Sequence, residues 1–301
     1  MKRTKHNDVN GWLIINKPRD VGSTDVVNLT RRLLNANKNG HAGTLDPFAT
    51  GVLPIAFGEA TKLIPFVTDG KKEYEFILKF GIQTNTDDTE GEVVNTSEII
   101  PSKEQILSVL PKFLGTIEQT PPAYSAIKIN GQRAYKLARA GKEVNVPSRM
   151  VEIDYLELLE QVSESEYKFK VGCSKGTYIR TLGKDIALSL GTLGHLSELK
   201  RTKCAIFSLD DTILLEKLKN MVYENDRLMS LLPIETSLRD IAVIAVSEED
   251  AAKLKHGQGL SPKAYQGFET GTVLAAMFNT CLVALVRVEE RKLSPIRVFN
   301  L

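Results

Sequence analysis

Alternating apolar and polar positions predict the strands of this chain of 301 residues. The clearest case is Glu73–Phe80 (EYEFILKF), in which every second residue is large and apolar. Because successive side chains of a strand point to opposite faces, this strand has one apolar face, and Tyr74 lies on that buried face with Phe76, Leu78 and Phe80. The other strands predicted in the N-terminal two thirds are Gly11–Asn16, Tyr124–Ile129, Val151–Leu158 and Tyr167–Cys173.

Apolar positions at helical spacing predict helices between these strands. Ser23-Thr24 offers an N-cap for a helix that continues to about Leu34, with Val26, Val27 and Leu33 facing inward. Strands and helices are mixed without a regular βαβ rhythm, which favours the α+β class over a doubly wound parallel sheet. The further predicted helices are Glu59–Val67, Lys103–Leu114, Arg133–Ala140 and Thr177–Leu190.

The pattern resets near Pro233–Leu238, where we place a boundary between a larger domain at 1–236 and a smaller one at 237–301. In the smaller domain, Ser247-Glu248-Glu249-Asp250 resembles a capping box and begins a helix that ends at His256-Gly257. About sixty residues with this many short strands indicate a small barrel. Its predicted strands are Ile241–Val246, Thr272–Met277, Cys281–Val288 and Pro295–Phe299.

Composition places the chain among ordinary globular proteins, with 42% hydrophobic and 25% charged residues. Its three cysteines are far apart, so neither a disulfide framework nor a paired-cysteine metal site can be written, and a reducing cytoplasm is the expected location. The longest uncharged run, Thr270–Val286, is interrupted by Asn279-Thr280 and is too short to span a bilayer. No signal peptide and no membrane helix are expected.

Charge is unevenly distributed along the chain, although the formal net charge is only +2. Residues 1–40 carry 8 basic and 3 acidic residues, 120–150 carry 6 and 1, and 170–205 carry 7 and 2. These three stretches together hold a charge of +15, which leaves −13 for the remainder. A basic face attracts polyanions, of which nucleic acid is the commonest, but solvated lysine-rich surface also explains the pattern.

The densest group of candidate chemistry is a glycine-rich loop, Gly40–Ile55 (GHAGTLDPFATGVLPI). Pro47 biases Asp46 away from the helical conformation and fixes the turn, so that the carboxylate is presented in one direction. Taken alone, Asp-Pro is also an ordinary turn former, and His41 is an ordinary loop histidine. The chain contains neither GxGxxG nor GxxxxGK[ST], which excludes a phosphate-binding loop of those kinds.

Two further segments carry candidate basic residues. Arg180 lies in Ser174–Leu182 (SKGTYIRTL), near the start of a predicted helix, where an arginine is either exposed or paired inward with a carboxylate. Leu199–Lys203 (LKRTK) either contacts phosphates or forms a solvated face. An acidic stretch lacks EF-hand spacing and is interpreted as a polar hairpin loop that contains Asp87, Asp88, Glu90 and Glu92.

These segments together resemble the TruB family of bacterial tRNA pseudouridine synthases. The loop GHAGTLDPFATGVLPI is similar to the family's catalytic loop, Lys72–Gly81 to its tyrosine strand, and SKGTYIRTL to its arginine motif. Order and spacing agree from residue 11 to about residue 209. The other similar segments are Asn16–Thr24 (NKPRDVGST), the RNA-gripping insertion Pro121–Gly141, His195–Thr202 (HLSELKRT) and, in a PUA-like tail, Lys253–Leu260.

The resemblance implies a pseudouridine synthase fold of the α+β class, with a mixed, largely antiparallel central sheet, flanking helices and a small C-terminal β-barrel-like PUA domain. The synthase domain would be 1–236, with the RNA-gripping insertion at about 120–150, and the PUA-like RNA-binding domain 237–301. The implied reaction converts the T-loop uridine of tRNA, conventionally position 55, to pseudouridine. No cofactor, no metal and no guide RNA are implied.

The resemblance assigns the essential aspartate to Asp46, which acts on the sugar by attack at C1′ or by helping to remove the C2′ proton. Arg180 is the implied buried cation that keeps Asp46 ionised and orients it through bidentate hydrogen bonds. Tyr74 is the implied active-site tyrosine. We interpret it mainly as a stacking surface and less as a base, because a phenol with a pKa near ~10 is mostly protonated at neutral pH. Leu199 would pack the uracil edge, and His41 would occupy the stack that a flipped uridine leaves.

The remaining implied contacts are made with the folded tRNA, and a monomer is expected. The insertion and the strand motif would bind the T-stem-loop, and the PUA-like tail could grip the acceptor stem. Substrate contacts are implied for Lys17 and Tyr178, and phosphate contacts for Lys128, Arg133, Lys136, Arg139, Lys200 and Arg201.

Other hypotheses stay open on the residues alone. The guide-RNA-dependent pseudouridine synthases of archaea and eukaryotes share the catalytic core and a PUA domain, but the insertion Pro121–Gly141 argues against them. A non-catalytic RNA-binding or tRNA-folding protein would use Asp46 only as a turn residue, and such a role is also compatible with catalysis. A carboxylate hydrolase would lack a second placed acid or a metal site.

Overall fold

The computed structural model describes residues 7–125, 127–129, 131–142, 144–261, 265 and 267–301. The strands are β1 (Gly11–Lys17), β2 (Asn39–His41), β3 (Thr50–Phe57), β4 (Lys72–Phe80), β5 (Ile82–Thr84), β6 (Val93–Thr96), β7 (Gly115–Gln119), β8 (Lys128–Ile129), β9 (Gln132–Arg133), β10 (Arg149–Gln161), β11 (Glu166–Cys173), β12 (Gly194–Cys204), β13 (Phe207–Ser208), β14 (Ile213–Leu214), β15 (Val243–Ala245), β16 (Val273–Phe278), β17 (Cys281–Val288) and β18 (Leu293–Val298). The α-helices are α1 (Ser23–Leu33), α2 (Ile64–Asp69), α3 (Lys103–Val109), α4 (Ala134–Arg139), α5 (Ile179–Ser189), α6 (Leu215–Asn220), α7 (Glu224–Leu228) and α8 (Glu248–Lys255).

The central sheet has the strand order β14-β1-β3-β12-β4-β11-β10-β7, with β2 paired to β3 and β13 to β12. The pairs β1–β14 and β3–β12 are parallel, and the other pairs of this sheet are antiparallel. The predicted α+β class with a mixed, largely antiparallel central sheet is thus confirmed.

Strands β4 and β12 lie side by side in the middle of this sheet, where Tyr74 stands opposite Arg201 and Phe76 opposite Leu199. The predicted apolar face of β4 is confirmed, with three fully buried residues and a half-buried Tyr74. Alternation does not reveal β12, because bulges after Leu196 and after Arg201 interrupt it.

Strand β3 occupies part of the predicted loop, so that irregular backbone remains only at 42–49. The glycine that suggested a loop, Gly51, has φ +98°, and a Cβ on it would lie 2.2 Å from the carbonyl oxygen of Arg201. Glycine is therefore required here by the close approach of β12 and not by a turn.

Several predicted boundaries need correction, and proline explains two of them. The helix predicted at 59–67 is a 3-10 turn followed by α2, and the one at 103–114 is α3 followed by a 3-10 turn. Pro65 and Pro111 lie at the start of the second element in each case, because proline suits a first helical turn but not a helix interior. The strand predicted at Tyr124–Ile129 shrinks to Lys128–Ile129, and the helix predicted from Thr177 begins at Ile179.

The central sheet is apolar on both faces. Alternate residues of β1 divide between them: Leu13 and Ile15 join a core with α1, α3, α5 and α6, whereas Trp12 and Ile14 join a core on the other face. That second core also contains Ala275, Leu282 and Leu285 of the C-terminal sheet, and Phe299, which follows its last strand. The tail therefore packs directly on the back of the central sheet.

The tail forms a second sheet of order β15-β16-β17-β18, with α8 packed on it. Ser247 caps α8 as predicted, with its hydroxyl accepting from the Asp250 backbone N–H at 3.1 Å. The proposed boundary at 236–237 falls inside a 3-10 turn, Ile234–Leu238, whose apolar side chains belong to the shared core. Within the described ranges, the helices are too short or too polar to cross a membrane.

Candidate active site

Two buried polar side chains, Ser23 and Lys17, hold the backbone of the loop that carries Asp46. Ser23 Oγ donates to the carbonyl of Leu45 at 2.7 Å and accepts from its N–H at 2.9 Å. Lys17 Nζ donates to the carbonyl of Pro47 at 2.9 Å. The residues on either side of Asp46 are thus fixed by hydrogen bonds to β1 and α1, which presents the carboxylate in one direction.

Asp46 forms an ion pair with Arg180, with 3.0 Å between Oδ2 and Nε. Arg180 is 3% exposed and lies in the first turn of α5, whereas the Asp46 side chain is 32% exposed and faces a pocket. Of the two interpretations that the sequence left open for Arg180, the structure therefore selects the inward, paired one.

Arg180 does not grip Asp46 in the bidentate manner that we expected. Its Nη1 lies 3.2 Å from Oδ2 of a second carboxylate, Asp88, and donates to the carbonyl of Thr86 at 2.9 Å, while Nη2 donates to the carbonyl of Tyr124 at 2.8 Å. The reason is the hairpin β5–β6, which brings Asp88 against the guanidinium. Arg180 is consequently shared by two carboxylates and two carbonyls.

The pKa of Asp46 is raised above its ordinary value. Burial is the main cause, and the negative charge of Asp88 adds to it, whereas Arg180 and Lys17 oppose it. The two cations therefore counteract the desolvation that would otherwise protonate the carboxyl group.

Lys17 needs a correction, since it was expected to contact substrate. Its side chain is buried, and its Nζ donates to the carbonyls of Pro18 and Val21 at 2.8 Å as well as to that of Pro47. Burial lowers the pKa of Lys17 to about 8, although the charge of Asp46 counteracts this. Lys17 thus ties the 18–21 turn to the loop below Asp46.

Arg201 needs the same correction, because it was expected to contact phosphate. It is 1% exposed and donates from Nε to the carbonyl of Val52 at 2.8 Å and from Nη2 to that of Gly43 at 3.0 Å. Its charge also acts to lower the pKa of the neighbouring Tyr74 hydroxyl. Burial nevertheless raises the pKa of Tyr74 to about 12, so this phenol is protonated at neutral pH.

A pocket of about 280 Å³ opens in front of Asp46 and collects several predicted residues. Tyr74 and Leu199 line it from the central sheet, and Tyr178 lines it from the start of α5. The guanidinium of Arg149 lies 5.1 Å from the centre of the Tyr178 ring. The pocket thus combines an aromatic and apolar wall with one carboxylate.

His41 is half-buried at the end of β2, and its Nδ1 has no hydrogen-bond partner within the described part of the chain. Burial lowers the pKa of His41, and the charges of Arg201 and Arg133 lower it further. The ring is therefore neutral at neutral pH, as its expected stacking role requires.

The expected phosphate contacts are spread over different surfaces. Arg133 and Lys136 are exposed on the insertion. Lys200 is exposed on the face of β12 opposite to Leu199, beside a shallow pocket that Arg19 and Lys168 also line. The side chains of Lys128 and Arg139 lie outside the described residues.

Asp88 is the residue next to Arg180 that the sequence analysis did not single out. The acidic stretch is a hairpin loop as predicted, but Asp88 is only 1% exposed and also accepts from the Thr86 hydroxyl at 2.6 Å and from the Glu90 N–H at 2.9 Å. The signal available in the sequence was Thr86, two residues earlier, because its hydroxyl can donate to a carboxylate that is buried in the loop. Among the described residues, these carboxylates form no group able to hold a metal ion.

Comparisons with known proteins identify the family of this chain. The model of "TruB family pseudouridylate synthase (N terminal domain)" matches residues 31–179, and that of "tRNA pseudouridylate synthase B C-terminal domain" matches 180–239. The chain is 44% identical to tRNA pseudouridine synthase B of Caulobacter vibrioides, over 100% of this chain and 99% of the relative. It is 45% identical to the protein of that name from Bradyrhizobium diazoefficiens, over 99% of this chain and 88% of the relative.

Solved structures with a similar fold cover nearly all of this chain. A chain of a Cbf5-Nop10-Gar1 complex has a TM-score of 0.73 at 27% identity and covers 96% of this chain and 84% of that chain. A chain of an H/ACA RNP bound to a substrate RNA containing 2′-deoxyuridine reaches the same TM-score at 22% identity. Taken with the two family models and the relatives aligned over nearly all of this chain, these findings establish that the chain belongs to the TruB family of pseudouridylate synthases.

Proposed function

We propose that this protein converts the T-loop uridine at position 55 of tRNA to pseudouridine without a guide RNA. The observation that carries the proposal is the Asp46 carboxylate, which faces a pocket while a buried arginine neutralises it at 3.0 Å. Membership of the TruB family supplies the reaction, and the tRNA substrate follows the names of its relatives.

In the proposed reaction the N1–C1′ bond breaks, the uracil turns, and a C5–C1′ bond forms. The proton on C5 is lost and N1 gains one, so that the product is an isomer of the substrate and no electrons are gained or lost. Asp46 acts on the sugar, either as a nucleophile at C1′ or as a base toward the C2′ proton. Both routes require the ionised carboxylate, which Arg180 and Lys17 favour.

The uridine is proposed to leave the folded T-loop to reach Asp46, because an enzyme cannot reach the reacting atoms of a base that stays stacked inside folded RNA. In this proposal the uracil lies against Tyr74, with Leu199 at its edge and Tyr178 on the far wall. His41, with a neutral ring, takes the place of the flipped base in the stack.

The C-terminal sheet is proposed to be a PUA-like RNA-binding domain that contacts the acceptor stem, and the protein is proposed to act in the cytoplasm as a monomer. The alternative is a synthase that works inside a ribonucleoprotein, the setting of the structurally similar H/ACA chain. The relatives aligned over nearly all of this chain favour the independent enzyme, since each is named tRNA pseudouridine synthase B.

The test is pseudouridine mapping on an unmodified tRNA transcript, with the purified protein as the sole macromolecule added. Wild type should modify only the T-loop uridine, and Asp46→Asn should bind the tRNA without modifying it, because the amide has nearly the same shape but no charge. Asp226→Asn, at an exposed position, is the matched control and should stay active. Tight binding without modification by wild type would favour a guide-dependent or non-catalytic protein, and activity of Asp46→Asn would contradict the role of the carboxylate.

A comparison of two variants tests the role of Tyr74. Tyr74→Leu removes the ring and is expected to abolish turnover. If Tyr74→Phe remains active, stacking is the role of the ring. Loss of activity in both variants would assign proton transfer to the hydroxyl group.

A further inference from the structure

Gln119 is a buried polar residue that the proposed reaction does not yet use. It is the last residue of β7, at the point where the chain leaves the central sheet for the insertion, and it is 1% exposed. Its carboxamide makes two hydrogen bonds to one residue: Oε1 accepts from the N–H of Tyr178 at 2.7 Å, and Nε2 donates to the carbonyl of Tyr178 at 3.0 Å.

These bonds hold the residue at the start of α5, the helix that carries Arg180. Tyr178 is the N-cap of α5, and its own side chain makes no capping hydrogen bond. The first N–H groups of a helix have no partner inside the helix, so an outside acceptor is needed to fix the end. Gln119 supplies that acceptor to the N–H of Tyr178, which lies two residues before Arg180.

The segment after Gln119 makes further contacts with the same helical turn. The carbonyl of Tyr124 accepts from Nη2 of Arg180 at 2.8 Å, and the carbonyl of Thr120 accepts from the Thr181 hydroxyl at 3.4 Å. Residues 119–124 thus fix both the start of α5 and the guanidinium of Arg180.

We propose that Gln119 is a positioning residue for pseudouridine formation, because it fixes the start of α5 and hence the guanidinium that holds Asp46. This inference rests on the proposed function. In this role Gln119 uses its carboxamide N–H as a donor and its carboxamide oxygen as an acceptor, both toward Tyr178. A carboxylate in its place keeps the acceptor toward the Tyr178 N–H but sets a second oxygen against the Tyr178 carbonyl.

Gln119→Glu therefore tests the inference with almost no change in size. At neutral pH we expect tRNA affinity to stay unchanged while kcat falls about tenfold to a hundredfold, the effect of a small misplacement of catalytic groups. As the pH is lowered, the buried carboxyl becomes protonated, its O–H donates to the Tyr178 carbonyl, and the ratio of variant to wild-type kcat should rise. A merely structural role would not produce this recovery.

Gln105→Glu is the matched control. Gln105 accepts from the Ser102 N–H at 2.8 Å in the capping box of α3, where glutamate serves equally well. This variant should keep wild-type kcat and show no change with pH relative to wild type.

If thermal unfolding shows that Gln119→Glu does not fold, Gln119→Met replaces it, because methionine fills the same space without charge and without either hydrogen bond. Its kcat should fall at every pH. Wild-type kcat in whichever variant folds, or a loss of turnover matched by loss of tRNA binding, would overturn the inference. The proposed function is judged separately, by whether wild type makes pseudouridine in the same assay.

Discussion

Arg180 is a cation between two carboxylates of unequal exposure. The Asp46 side chain is 32% exposed and faces the pocket, whereas the Asp88 side chain is 2% exposed. Burial of a charge is costly unless it is paired and hydrogen-bonded, and Arg180 meets this condition through its ion pair with Asp88 and its bonds to the carbonyls of Thr86 and Tyr124. Asp46 is thus left as the carboxylate available for chemistry.

Asp88→Asn is expected to lower kcat about tenfold to a hundredfold, because Arg180 loses the charge that orients it. The negative charge of Asp88 raises the pKa of Asp46, so its removal lowers that pKa. Activity is lost as the pH falls through the pKa of Asp46, and the acid limb of the remaining activity should therefore move to lower pH. A pH–rate profile of kcat/KM under single-turnover conditions measures the shift.

The control for this profile is Asp87→Asn, because Asp87 pairs with Lys184 at 2.9 Å and not with Arg180. Its acid limb should match that of wild type. An acid limb that stays in place or moves to higher pH in Asp88→Asn would contradict the arrangement.

At the scale of elements, the loop that carries Asp46 depends on side chains from β1 and α1. We predicted Ser23-Thr24 as an N-cap, but the N-cap of α1 is Gly22, and the Ser23 hydroxyl is used for the loop instead. A hydroxyl that both donates to and accepts from the Leu45 backbone replaces the pairing that a strand would provide. The loop is thus ordered although it has no regular secondary structure.

Ser23→Ala should lower the free energy of unfolding by about 1–3 kcal/mol, since it leaves the buried N–H and carbonyl of Leu45 without their partner. It should also lower kcat, because Asp46 is the next residue. Denaturant unfolding followed by the fluorescence of Trp12, the single tryptophan, measures the first effect.

Thr24→Ala is the neighbouring control at an exposed position and should change the unfolding free energy by less than about 0.5 kcal/mol. Equal stability of the two variants would show that the bonds of Ser23 do not hold the loop.

At the scale of the whole molecule, an apolar core joins the central sheet to the C-terminal sheet. Trp12 and Ile14 of the central sheet share a core with Leu285 and Phe299 of the tail, so the second sheet is fixed to the first. A proposed RNA-binding tail is thereby held at a constant place relative to Asp46. The insertion is strongly basic, since residues 120–150 carry 6 basic residues and 1 acidic residue.

Lys136→Gln is expected to weaken tRNA binding and to reduce the slope of log affinity against log salt concentration by about 1, as one lost phosphate contact would. Turnover at saturating tRNA should not change, since Lys136 is on the exposed side of α4. Titrations over a range of salt concentrations measure the slope. Lys103→Gln, on α3 and outside the basic stretches, should keep the wild-type slope, and an unchanged slope in Lys136→Gln would remove this residue from the interface.

The sequence by itself determined the features that depend on local order: the apolar face of β4, the cap of α8, the α+β class and, through the resemblance of its motifs, the family and the loop of Asp46. It could not determine contacts between distant segments. Lys17, Asp88 and Arg201 all have charged side chains that a sequence places on the surface by default. Only the tertiary structure buries them, because each also needs a partner from a distant part of the chain. These partners are Pro47 for Lys17, Arg180 for Asp88 and Val52 for Arg201, which lie 30, 92 and 149 positions away.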